Sequence, residues 1–160
     1  MEQQTQELFD DFISVIKELI AVTRDIARVE ESKAEAASLK RHELLNDYIQ
    51  EEQAHILKLR GLEQRRIRLA GELGWGSMTF RQILDTVSLR RLPLLRPLFS
   101  DLEDQLNRLT KARQASEQII GVRLHELQVA IAQQEGGSYD NAGNVNLNSQ
   151  FHSRLRNTYV

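Results

Sequence analysis

Residues 71–84 read GELGWGSMTFRQIL, and they hold the chain's only tryptophan, Trp75, between Gly74 and Gly76. The sequence on both sides is strongly helical, so this stretch decides how many rods the fold has. The two glycines supply the backbone freedom that ends a helix. Ser77 or Thr79 can cap the next one, and Gln82 stands three residues after Thr79, the spacing of a capping box. Phe80, Ile83, Leu84 and Val87 then give a short amphipathic helix. Trp75 is expected to plug the end of a helical bundle, its ring covering apolar ends that glycines leave open.

Upstream, apolar positions run Leu8, Phe12, Val15, Leu19, Val22, Ile26 and Val29, in alternating steps of four and three. That is the seam of a long helix. A second seam, Phe9, Ile13, Ile16, Ile20 and Ala27, lies beside it, so this rod should touch two neighbours. The signal fades through KAEAASLKRH at residues 33–42 and resumes at Leu44, Leu45, Tyr48, Ile49, Ile56, Leu59, Leu62, Leu69 and Leu73. One unbroken helix over some 70 residues would span ~105 Å. Two antiparallel helices, about 4–39 and 42–73 with a tight reversal near 40–42, fit a domain better.

Downstream, Pro93 and Pro97 are tolerable in a helix's first turn, so the last long helix starts between them or just before and runs to about residue 134. Its stripe is Leu98, Leu102, Leu106 and Leu109, then a polar gap at Arg113 and Ser116, then Ile120, Leu124, Leu127 and Ile131, with Ile119 alongside. After Glu135 the composition turns Gly-, Asn- and Ser-rich without periodicity. The expected architecture is all-α: three long antiparallel helices forming an elongated coiled-coil-like bundle over 1–135, with a short connecting helix, and a flexible C-terminal tail over 136–160.

The chain has 160 residues, 41% apolar and 28% charged, enough to bury a core. Its net charge of −2 leaves no basic field for phosphates, so nucleic acid is not an expected partner. There is no cysteine, hence no disulfide or thiol chemistry. The opening MEQQTQELFDDF lacks a signal-peptide pattern, and no apolar run approaches the ~18 residues of a membrane span. A cytoplasmic protein without direct membrane insertion is expected. A di-iron bundle needs Glu-x-x-His on two helices, and only Glu52 and His55 match. HELLN at His42 and HELQV at His125 lack the second histidine of a zincin helix. No catalytic residue, metal or cofactor is expected.

Glu52 nevertheless falls on an apolar stripe. If the second and last long helices are antiparallel with Leu73 level with Leu92, Glu52 faces Arg113. Glu52, His55 and Arg113 would then form a polar layer fixing register, or else snorkel to water. In the same register the second helix begins level with about Arg123. Leu124, Leu127, Ala130 and Ile131 therefore overhang the bundle with no surface of their own chain to meet. Such an edge marks a partner site. The alternatives are a client segment or a second copy, as in a structural coiled-coil adaptor.

The segments EEQAHILKLRGLEQRRIRLAGELG at 51–74, SEQIIGVRLHELQVAI at 116–131 and SYDNAGN at 138–144 together resemble the FlgN flagellar export chaperones over essentially the whole chain. Ser116 departs from the asparagine that family often has there. The resemblance implies a cytoplasmic chaperone of type III flagellar export that binds the amphipathic C-terminal segments of the hook–filament junction proteins FlgK and FlgL. Ile119, Ile120, Leu124, Leu127 and Ile131 would be client contacts. Tyr139, with Gly143 in the same tail motif, would dock the complex on the export apparatus at the membrane.

Overall fold

The computed structural model describes residues 1–135, apart from the side chains of Arg123, Leu127, Gln134 and Glu135. The tail, and with it Tyr139 and Gly143, lies outside the described residues. Four helices follow in order: α1 Glu2–Ser38, α2 His42–Glu72, α3 Phe80–Thr86 and α4 Leu92–Glu135. Among the described residues there is no strand, and the fold is an all-α bundle.

The two stops in the chain are built alike. At the end of α2, the Trp75 N–H donates to the Ala70 carbonyl at 2.7 Å and the Gly74 N–H to Gly71 at 3.1 Å. Gly74 sits at φ 82°, the left-handed conformation this double hydrogen bond needs. At the end of α1, Arg41 donates to Ala36 at 2.8 Å and Lys40 to Ala37 at 3.2 Å. Here the left-handed position, φ 57°, is filled by Lys40, so the reversal forms without a glycine. α3 starts at the expected capping box. The Gln82 N–H donates to Thr79 Oγ1, and the Thr79 N–H donates to Gln82 Oε1.

Cross-helix contacts give the directions. Arg65 meets Glu18 and Lys33 meets Glu52, so α2 runs antiparallel to α1. Phe99 meets Phe12 and Arg108 meets Glu31, so α4 runs parallel to α1 and antiparallel to α2. α1 is the central rod and packs along both others, as its double seam requires, whereas α2 and α4 approach each other less closely.

The core is the junction of those seams. Phe9, Phe12, Val15, Ile16, Leu19 and Ile26 of α1 are buried against Ile56, Leu59, Leu62 and Leu69 of α2 and Leu95, Phe99, Leu102, Leu106 and Leu109 of α4. Trp75 closes one end. It is buried, with its ring edge-on to Phe12 at 5.3 Å and to Phe9 at 6.5 Å. α3 adds Phe80, stacked on Phe99 at 4.0 Å, and Ile83. The Arg66 guanidinium lies 5.7 Å from the Phe80 ring and grips the Glu63 carboxylate with two hydrogen bonds of 2.8 and 2.6 Å. That paired geometry is what makes a buried charge tolerable here. Ile49, read from the sequence as part of the α2 stripe, is exposed; the stripe of α2 becomes buried only from Glu52 onward.

Candidate partner-binding site

The apolar core ends at Ala27, Ile56 and Leu109. Immediately beyond it, all three long helices contribute polar groups to one layer. α1 gives Glu30 and Lys33, α2 gives Glu52, and α4 gives Arg113 and Ser116. Lys33 Nζ donates to Glu52 Oε2 at 2.6 Å and to Glu30 Oε1 at 3.2 Å. Arg113 Nη1 stands 3.9 Å from Glu52 Oε1, and Arg113 Nε donates to Glu117 at 3.0 Å. The register expected from sequence, Glu52 opposite Arg113, is the observed one. His55 is not a member: it lies 3.7 Å from the exposed Glu51, four residues back on its own helix. Its place is taken by Lys33 and Glu30, which the pairing of α2 with α4 alone could not reveal. A signal existed, because Glu30 continues the second seam of α1 through Ile20, Thr23 and Ala27.

Glu30 is 1% exposed, and burial, joined by the facing Glu52 carboxylate, raises its pKa to about 7. Lys33 opposes that rise. Burial also pushes Glu52 upward but is outweighed by hydrogen bonds from Glu30 and Lys33 and by Arg113, leaving it below its ordinary value. Glu30 Oε2 is buried with no donor in bonding geometry. A proton on Glu30 makes it a donor toward Glu52, so below about pH 7 the two carboxyls hold one proton between them.

Past this layer the bundle thins. Ala36 and Ala37 of α1 remain buried, whereas Leu44, Leu45 and Tyr48 of α2 and Ile119 and Ile120 of α4 are half-buried. A cleft of about 470 Å³ opens between the α1–α2 turn and α4, lined by Ala37, Leu45, Ile120 and Leu124, with Lys40, His42 and Glu126 also bordering it. Leu124 is 42% exposed. Ala130 is exposed and Ile131 half-buried, while the Leu127 side chain lies outside the described residues.

Leu124, expected to overhang the bundle with no surface of its own chain to meet, instead borders a cleft whose other wall is Ala37 and Leu45. Ile119 and Ile120 are partly covered, because the α1–α2 turn reaches to their level; Ile120 and Leu124 share one cleft with it. Two further exposed apolar residues, Val122 and Val129, stand seven apart on the far side of α4. Their heptad spacing is a signal in the sequence, masked by the stronger stripe through Leu124. The distal third of α4 thus presents apolar surface on two sides.

No family model, curated protein or solved structure matches this chain.

Proposed function

We propose that this chain is a cytoplasmic export chaperone of the FlgN type. It captures the amphipathic C-terminal segments of FlgK and FlgL on the distal part of α4 and holds them unassembled until delivery to the export apparatus. The observation that carries the reading is the exposed apolar edge at Leu124, beside a cleft whose other wall is Ala37 and Leu45 at the tip of the helical hairpin. A helix laid there would bury its apolar face against preformed walls, the helix-in-groove mode of recognition. Lys40, His42 and Glu126 would form a polar rim that orients it. The work is binding and release, with no covalent step. Tyr139 and Gly143, beyond the described helices, are the proposed docking residues for the export apparatus.

Calorimetric titration with peptides from the C-termini of FlgK and FlgL tests this. Leu124→Asp with Leu127→Asp should weaken capture at least about a hundredfold, since burying each leucine is worth about 1.5–3 kcal/mol. Helix content should be unchanged. Absence of binding by the unaltered protein overturns the reading. A concentration-independent dimer closed through 119–131 would instead make the edge a subunit interface.

A further inference from the structure

The opposite end of the bundle carries a second unexplained surface. Residues 88–91 form a tight turn between α3 and α4, closed by the Arg91 N–H donating to the Ser88 carbonyl at 3.0 Å. Its two central positions, where chains usually place Gly, Pro, Asn, Asp or Ser, are Leu89 and Arg90. Leu89 is 87% exposed, and Leu94, just inside α4, is 56% exposed. Neither serves the core. Between Asp85 and Asp101 the sequence contains no acidic residue and three arginines, Arg90, Arg91 and Arg96. Arg90 and Arg96 are exposed, whereas Arg91 packs its guanidinium 4.5 Å from the Phe9 ring and anchors the turn to α1.

We propose that this turn is a contact surface for an anionic membrane, with Leu89 and Leu94 entering the interfacial layer and Arg90 and Arg96 meeting lipid phosphates. Charge complementarity and shape both favour lipid. Two protruding leucines beside exposed Arg90 and Arg96, with Glu2 of α1 bordering the same face, need matching pockets on a folded partner, whereas a fluid bilayer closes around them. The contact is peripheral, since no helix of the described residues is long and apolar enough to cross a membrane. It is also weak. Each basic residue near an anionic surface contributes about fivefold (about 1 kcal/mol). Along α4, Arg96 and Leu124 are separated by roughly 40 Å of helix. Docking by this end would therefore hold the capture edge clear of the lipid, although the surface itself does not depend on that edge having a client.

Sedimentation of the full chain with vesicles tests the proposal without any client. Vesicles of phosphatidylcholine with phosphatidylglycerol should retain the protein, and phosphatidylcholine alone should retain far less. Arg90→Ser with Arg96→Ser should lower partitioning about 25-fold, and Leu89→Ser about tenfold; all three positions are exposed, so the fold stays intact. Raised salt should release the protein. Equal retention by the two vesicle types, or none by either, overturns the proposal. Binding that falls with the arginines but ignores Leu89→Ser would assign the patch to any acidic surface and overturn the membrane contact. A concentration-dependent dimer abolished by Leu89→Ser, without vesicle binding, would give the surface to a second copy.

Discussion

Two residues hold conformations or charges that cost stability where they stand. Lys40 occupies a left-handed position that glycine fills at the equivalent stop, Gly74. A side chain there costs about 1–2 kcal/mol, partly offset by the lower entropy of a non-glycine chain when unfolded. Lys40→Gly should therefore stabilise the protein by about 0.5–1 kcal/mol, read as a higher urea midpoint at unchanged slope; destabilisation would mean that the lysine side chain makes a compensating contact. Glu30 is the other. Its folded pKa of about 7 lies above the ordinary carboxylate value of about 4.5, so the folded state binds the extra proton. The stabilisation is complete below about pH 4.5 and is lost as pH rises through about 7, on the order of 3 kcal/mol. Thermal melts between pH 5 and 8 should show that decline, and Glu30→Gln, which keeps a neutral donor in place, should flatten it. An equal slope in both proteins would show that Glu30 does not carry the proton.

At the scale of elements, what could be read in advance depended on whether a signal was local. The stop at Gly74 and the capping box at Thr79 and Gln82 are local, and both stand where the residues put them. The reversal at residues 39–41 is local too, yet its left-handed residue is a lysine, so only the fading periodicity betrayed it. The polar layer was half legible. One residue-to-residue register placed Glu52 against Arg113, but the presence of Lys33 and Glu30 in the layer depends on α1 lying between the other two long helices. α3 is seven residues long and leans on its cap more than a longer helix would. Thr79→Ala should cost about 1 kcal/mol and speed amide exchange at Gln82 before it affects α1. Uniform loss of protection across the bundle would show that α3 unfolds only with the whole.

For the molecule as a whole, the apolar pattern of the sequence described the packed half well and the thin half poorly. In the packed half each stripe meets another, so periodicity and burial coincide at Phe12, Leu19, Leu59 and Leu102. In the thin half the same spacing leads to Ile120 half-covered, Leu124 exposed, and Val122 and Val129 facing away. Periodicity records that a face is greasy, and the lengths of the neighbouring helices decide whether anything covers it. That division predicts independent roles. Removing residues 136–160 should leave the melting temperature and client affinity unchanged while abolishing delivery to the export apparatus. A loss of client affinity comparable to that of the Leu124 and Leu127 variant would place part of the capture site in the tail.

The most direct measurement is amide hydrogen exchange along α4, with and without a peptide from the C-terminus of FlgK. Alone, residues 118–131 should exchange much faster than 98–110, because only the latter pack their apolar stripe into the core. With the peptide bound, 118–131 and the turn at 37–45 should gain protection while 8–30 stay unchanged. Strong protection of 118–131 in the isolated monomer, or protection gained elsewhere on binding, would contradict the account.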